Sequence, residues 1–545
     1  MNNVKNTQVI GWLLSFVRPL KLKVTGAILL GMISNLSVVM ITFLGTREML
    51  RLIDGNTSTV YRTFWLLILC GIIRGVARYM EQYLNHDIAF SLLADVRSTI
   101  FKVLRKLGPA RLSGKNSGDM ITAITTDVEA LEVFFAHTVS PVFIALGTSV
   151  ILISYFAHIS IFLGLILLLG HLFIGIFVPV ISYKQHEKTA SDYQETFVNL
   201  NQAVMENVES IRDVNQFSLE NERLADLANV GKNLNQEYQR KLGQSSSIQI
   251  LSELGVLGTT LVMILVGNFL SLPASEIVLT SVLTLSSFGG VLALSGLGNA
   301  LLSTFASGKR LFSLVNEEQV VTFVETTTPK IELENLSVQD LSFAYEETSI
   351  FDSFNLSLPK GKTLGIGGES GKGKSTLLKL MMRYWDPEKG QIKLNDIDLK
   401  EFSETELHEI ESVMEQRTFI FADTMAQNMT LGKPDVPMTE IKEAAKQAQL
   451  SDWIESLPEQ YETKIGGTFR SISDGERQRI GLARVFLHDG DLLLFDEPTS
   501  SLDYINEQNI LETIEKASEG KTTIIVSHRA STLKIADEIL MIEKR

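Results

Sequence analysis

Long apolar stretches crowd the first part of the chain, at residues 24–44, 63–83, 139–157, 161–183, 250–270 and 277–302. Each is close to the roughly 20 residues that an α-helix needs to cross the hydrocarbon layer of a bilayer. The pattern predicts six transmembrane helices. Between the second and third stretches, and between the fourth and fifth, the sequence stays helix-like but turns polar. One connection carries Arg97, Lys102, Arg105, Lys106 and Arg111, the other Lys184, Lys188, Arg212 and Arg223. The short connections "AHIS" and "SLPASE" have no Lys or Arg. Cationic connections stay on the cytoplasmic side, so the long connections and the N-terminus are expected in the cytoplasm. Arg47, Arg51 and Arg62, beside the first outer turn, run against that rule. Ahead of the first stretch, "VIGWLLSFVRPLKLK" sets Trp12, Leu13, Phe16 and Val17 at near-helical spacing beside Arg18, Lys21 and Lys23. This is the pattern of a helix lying in the membrane interface, and no small-residue site marks it as a cleaved leader.

After residue 302 the period changes. "NEEQVVTFVETTTPK" is polar and holds a proline, and from Ile331 onward short β-rich runs alternate with helical stretches. The expected organisation is an all-α transmembrane domain over 1–320, with the N-terminal interfacial helix and six spans, followed by an α/β nucleotide-binding domain over 321–545. Composition sharpens this reading. A chain of 545 residues with 45% hydrophobic content is too large for one core and too apolar for an ordinary soluble enzyme. The net charge of −14 argues against a general nucleic-acid binder, which needs clustered cations. Cys70 is the single cysteine, so an intrachain disulfide and a cysteine-rich metal site are excluded. Within the second span, Arg74 and Arg78 lie one helical turn apart with Glu81 nearby. Either they face a water-filled cavity and attract an anionic substrate, or they lie near the cytoplasmic end and snorkel to headgroups or pair with acids.

Three segments of the second domain carry chemistry. "TLGIGGESGKGKSTLLKL" reads as a strand, a glycine loop and a helix, and Gly368 to Ser375 fit the phosphate-loop pattern without a gap. Glycines let backbone N–H groups point at phosphates, and the following helix offers its positive end. Lys374 suits the β- and γ-phosphates and the Ser375 hydroxyl suits a magnesium ion, with Gly368, Ser370, Gly371, Gly373 and Thr376 as further nucleotide-binding candidates. "DLLLFDEPTS" is a buried strand that delivers Asp496 and Glu497 at its carboxyl end, where α/β sheets place ligands. Asp496 suits magnesium, and Glu497 suits an attacking water that must be oriented and deprotonated. "TTIIVSHRA" is another buried strand, ending in His528, a candidate sensor of the γ-phosphate and, with Glu497, a catalytic candidate.

With these motifs in order, nearly the whole chain resembles the ATP-binding cassette transporters, in particular half-transporters with an exporter-type membrane domain ahead of the cassette. The resemblance implies an adenine-stacking aromatic at Tyr345 in "LSFAY", a magnesium-linked glutamine at Gln416 in "VMEQRTFIF", and a dimer-contact loop "SSLD" ending at Asp503. The family signature, which reaches across a dimer to the other chain's ATP, matches "ISDGE", with Ser473 and Gly475 in its nucleotide-facing positions. Asp474 stands where the first glycine of the usual pair is expected, and the preceding "KIGGTFRS" departs from the usual Gly-Glu-x-Gly, with Gly467 and Phe469 in place of Glu and Gly. Two unit charges 4 Å apart at an effective dielectric of about 20 repel by roughly 4 kcal/mol. That is an upper guide to the effect of Asp474, whose side chain is expected to turn away from the nucleotide or to pair with Arg477.

What the resemblance implies is an ATP hydrolase using ATP and Mg2+, embedded in a cell membrane with multiple spans, of the bacterial inner or cytoplasmic kind. It implies export of a small molecule through an alternating-access dimer. Because the departures fall in the segment facing the partner, a second half-transporter is favoured as partner over a second copy of this chain. An exporter-fold importer of a siderophore-like molecule and a non-transporting regulatory membrane ATPase are the alternatives. "GLGNALLSTFASGKRLFSL" and "SDGERQRIGLARVFLHD" are also similar to subunits of the thiol- and haem-associated exporters that support cytochrome assembly.

Overall fold

The computed structural model describes residues 4–542 apart from 113–116, 326–331, 346–347, 370, 432, 434 and 501–503. Two compact units divide the chain, one of residues 1–106 with 115–317, the other of 107–114 with 318–545.

Six helical runs of the first unit are long and apolar enough to cross a membrane: Asn6–Ile53, Val60–Leu112, Met120–Ile159, Ile161–Gln185, Glu220–Phe269 and Ala274–Val315. Each predicted apolar stretch lies within one of them, except that the fifth runs one residue past its helix, to Leu270. The second and fifth runs have 53 and 50 residues. At 1.5 Å per residue each is more than twice the roughly 30 Å hydrocarbon thickness, so their polar halves continue as helix beyond it. The last run is built of Ala274–Ser287, Gly289–Ser295 and Leu297–Val315, interrupted at Phe288 and Gly296. Helices of this unit approach closely where a side chain is missing: a Cβ on Gly298 would strike the Pro179 carbonyl. Phe156, Leu163, Leu167, Ile174, Met263 and Phe288 fill its interior.

Two local features refine the sequence reading. The helix Asn6–Val17 buries Val9 and Leu13 completely, and Trp12 meets Phe312 edge-on at 5.9 Å, so its apolar face is covered by protein. The arginines beside the first outer turn are largely accounted for. Arg51 lies 3.8 Å from the buried Glu48, which also accepts from Thr59 and Thr63, and Arg47 stacks over the Phe43 ring. A paired cation is far less expensive near a membrane than a bare one, so the exception to the charge rule is local.

The second unit holds strands β1 (Asn335–Tyr345), β2 (Thr348–Pro359), β3 (Thr363–Gly367), β4 (Lys389–Leu394), β5 (Ile397–Asp398), β6 (Glu411–Met414), β7 (Asp423–Thr424), β8 (Lys464–Ile465), β9 (Leu492–Asp496), β10 (Thr522–Val526) and β11 (Glu538–Met541). An antiparallel sheet runs β2-β1-β4-β5, and a five-stranded parallel sheet runs β11-β3-β10-β9-β6. All residues of β3 and β10 are buried, and so are the first four of β9, as expected of parallel strands covered on both faces. The order β3-β10-β9 has a direct consequence. Val526 pairs with both Ile366 and Asp496 in register, so the carboxyl ends of the three strands lie side by side and release their next residues onto one edge.

Candidate active site

β3 feeds the glycine loop, which ends in the helix Lys374–Met381. Its backbone conformation depends on glycine. Gly368, Gly371 and Gly373 have φ of 136°, 80° and 95°, and a Cβ on Gly368 would meet the Ile542 carbonyl at 2.6 Å. A Cβ on Gly373 would meet Ile350 Cγ2 at 2.5 Å, which puts the start of β2 against the loop. Lys374 is buried, and its ammonium donates to the carbonyls of Gly368 and Glu369, each at 2.8 Å. The lysine thus sits inside the concave loop. Thr376 is buried in the first turn behind it, and Ser375 opens onto a cavity of about 280 Å³ shared with Gln416 and Asp496.

Asp496 ends β9 with Oδ1 buried and without a hydrogen-bond partner. Burial pushes its carboxyl above the usual range, the Ser375 hydroxyl beside it pulls the other way, and the charge of Glu497 adds to the rise. A buried oxygen lacking a donor, next to a hydroxyl and a carboxamide, is a donor set suited to a hard divalent cation.

Glu497 leaves the strand in a left-handed conformation, φ 54°, unusual for a residue with a side chain. Hydrogen bonds on both sides of its backbone hold it there. Its N–H donates to the Val526 carbonyl at 2.9 Å, and its own carbonyl accepts from Gln478 Nε2 at 3.0 Å. His528 Nδ1 lies 2.8 Å from Glu497 Oε2, although the ring is not aligned for a good hydrogen bond. The two catalytic candidates, from neighbouring strands, are therefore in contact.

Tyr345, at the end of β1, leans edge-on against Phe343 at 4.9 Å and Trp385 at 5.4 Å, and pairs with Thr348 two residues before the Ile350 that abuts the loop. Ser473 and Gly475 stand apart from this constellation. Among the described residues, no hydrogen bond joins them to the phosphate loop. Ser473 instead caps the helix Asp474–His488: its Oγ accepts from the Glu476 N–H, and Glu476 Oε2 accepts from the Ser473 N–H at 2.7 Å. Asp474 lies in the first turn and lines a cavity of about 600 Å³ with Gln416, Arg417, Thr418, Arg477, Gln478 and Ser500. The expected Asp474–Arg477 pair is not formed among the described residues. Both residues line that cavity, and Arg477 Nε is buried there without a hydrogen-bond partner. Ser370 and Asp503 lie outside the described residues.

Sequence reasoning missed Gln478. It is 3% exposed, and its Nε2 bonds both the Glu497 carbonyl and Ser500 Oγ, at 3.0 and 2.8 Å, linking the capped helix to the strand end. It also missed Glu507, which accepts from Arg529 at 3.0 Å and from Ser531 at 2.6 Å beneath the same edge. Gln478 lies inside the motif, yet nothing local indicates what its side chain reaches.

A phosphate loop and two acidic strand-end residues behind six membrane-crossing helices define a membrane-embedded nucleotide hydrolase. Comparison with known proteins narrows the class. The family description "ABC transporter transmembrane region" matches residues 24–293, and "ABC transporter" matches residues 351–500. A Haemophilus influenzae "Probable ABC transporter ATP-binding/permease protein" is 36% identical over 98% of each chain. A Bacillus subtilis putative multidrug export ATP-binding/permease protein is 26% identical over 97% of this chain and 94% of its own. The structure of a bacterial Atm1-family ABC exporter with ATP bound superposes with a TM-score of 0.84 over 96% of this chain and 94% of that one, at 19% identity. The chain belongs to the ABC transporters and is a half-transporter of exporter type, with membrane and ATP-binding parts fused. It is a multi-pass membrane protein that binds ATP and couples its hydrolysis to transport, working as a dimer.

Proposed function

We propose that this chain is one half of a heterodimeric exporter of a small molecule, carrying the catalytically complete ATP site and lending its partner a weakened one. The membrane domain over 1–320 would form half of the translocation path and the cassette over 321–545 would lie in the cytoplasm, with the N-terminus on the same side. Export is supported by the multidrug export name of the Bacillus subtilis relative and by the exporter fold.

In this reading Lys374 neutralises the β- and γ-phosphates, backbone N–H groups of the glycine loop orient them, and Tyr345 stacks on the adenine. Ser375, Gln416 and Asp496 would hold Mg2+, which supplies charge neutralisation on the phosphates. Glu497 orients the attacking water and takes its proton, and His528 in contact with it senses the γ-phosphate. Ser473 and Gly475 act on the partner's nucleotide, and Asp503 contributes to the dimer contact.

One observation carries the asymmetry. The end of the helix Asp474–His488 that would face the partner's γ-phosphate already bears two carboxylates in its first turn, Asp474 and Glu476. The positive helix end favours these anions, and they oppose a third. This chain's own nucleotide residues carry no such departure. The test is ATP turnover of the purified complex after Glu497→Gln here and after the matching change in the partner. Near-complete loss from the first with little from the second is expected, and an active complex containing only this chain would refute the heterodimer.

A further inference from the structure

A cavity of about 520 Å³ opens among the helical runs Asn6–Ile53, Val60–Leu112, Met120–Ile159 and Ala274–Val315, and Asn35, Arg74, Arg78, Glu81, Gln82 and His137 supply much of its polar lining. That volume is in the range of sites for small organic ligands. Arg74 is eleven residues beyond Thr63, where the second apolar stretch begins, or about 16 Å along the helix axis. That places it inside the second predicted span, which runs on to Tyr83.

The charges around the cavity do not balance. Two guanidinium groups and one carboxylate line it, and the carboxylate is fully engaged. Glu81 is 1% exposed and accepts from Arg78 Nη1 at 2.6 Å, Gln82 Nε2 at 3.1 Å and Asn85 Nδ2 at 2.9 Å. Among the described residues, the Arg74 side chain has neither a hydrogen bond nor an ion pair. An ionised group at this depth is expensive unless it meets an opposite charge, and such groups mark substrate paths.

We infer that this cavity binds a small organic anion, whose carboxylate or phosphate is received by the Arg74 guanidinium while Glu81 holds Arg78 beside it. A planar fork of donors matches either group. The remaining cavity wall, from Leu36, Val38, Val39, Ile144 and Leu152, accommodates the apolar part of the ligand. The inference rests on the transporter reading and adds to it the charge class of the substrate.

Charged thiol reagents stand in for the ligand in the test. Ala293 also lines the cavity and is small and exposed, so a thiol there samples its potential. In the complete complex, with Cys70→Ala and Ala293→Cys in this chain and phosphatidylcholine nanodiscs around it, labelling of residue 293 is followed by mass spectrometry. One reagent is the anionic sulfonatoethyl methanethiosulfonate, the other the cationic trimethylammonioethyl methanethiosulfonate, each rate being corrected for reaction with a free thiol. The anionic reagent should react roughly tenfold faster. Arg74→Gln should remove most of that preference and Arg74→Lys should retain it. Arg74→Gln leaves the Arg78–Glu81 pair in place, and retained basal ATP turnover checks that the variant is folded. A preference unchanged by Arg74→Gln, or one for the cation, would overturn the inference. Phosphatidylglycerol added to the nanodiscs separates two sources of the same chemistry. Slower anionic labelling that depends on Arg74 assigns the anion to a lipid headgroup, and unchanged labelling assigns it to a water-borne solute. Basal ATP turnover, and its loss on Lys374→Ala, reports separately on the transporter reading.

Discussion

Glu411 offers a test of how the cassette core depends on pH. It opens β6 at 4% exposure, its Oε2 has no hydrogen-bond partner, and burial pushes its carboxyl from 4.5 up to about 8. His408 Nε2 lies 3.9 Å from Oε1. Burial lowers the His408 pKa, His488 lowers it further and Glu404 opposes, so near neutrality the imidazole and the carboxyl are both uncharged and form no ion pair. Because the folded pKa is raised, the stability contributed by protonated Glu411 is fully present below about pH 4.5 and is lost as pH rises toward 8. The slope is about 1.4 kcal/mol per pH unit, with an upper limit of roughly 5 kcal/mol. Glu411→Gln keeps the shape and removes the ionisation. Thermal unfolding of the cassette, followed in the intact complex from about pH 5 to pH 9, should show the wild type falling more steeply than the variant. The two should be close at the acid end and separated by roughly 5–10 °C at the alkaline end. Parallel curves would refute the reasoning.

Lys374→Ala should lower ATP affinity or turnover by at least about tenfold while leaving assembly intact, since it removes the charge aimed at the phosphates; wild-type turnover in a folded variant would refute the loop assignment. Gly373→Ala forces a side chain into φ 95° and against Ile350, and should destabilise the loop by roughly 1–3 kcal/mol, read as weaker nucleotide binding in a calorimetric titration. Gln478→Ala removes one of the two donors to the Glu497 carbonyl, leaving the Ser500 N–H at 3.3 Å, and should lower kcat more than ATP affinity, by an amount corresponding to about 0.5–1.5 kcal/mol in single-turnover assays. Asp127→Ala removes the carboxylate that Arg310 and Ser307 both contact; because Arg310 remains 59% exposed, the loss should be about 1–2 kcal/mol in thermal stability rather than the larger cost of a fully buried pair.

The six spans were legible because a bilayer imposes a length and a composition on each segment separately. Where the helices end was not. The part of Val60–Leu112 beyond Tyr83 reads as helix-like, but nothing in the sequence says that it continues the span, and nothing marks the breaks at Phe288 and Gly296. The phosphate loop could be read because its chemistry requires particular residue types at fixed spacing. The left-handed turn at Glu497 and the reach of Gln478 could not, since each depends on a strand or helix distant in sequence. Glu411 is the sharpest case. In "LHEIESVM" it stands among acids that read as a solvated face, and only the burial of β6 against β9 sets it apart.

The cap of the helix Asp474–His488 has an evolutionary consequence. Ser473 and Glu476 satisfy each other's backbone groups, so the helix starts in the same place whatever stands between them, and an acid in its first turn is even mildly favourable to the fold. Position 474 is thus released from folding selection. A lineage can vary it without unfolding this chain, and under the proposed pairing any effect falls on the nucleotide site that the start of this helix faces across the dimer.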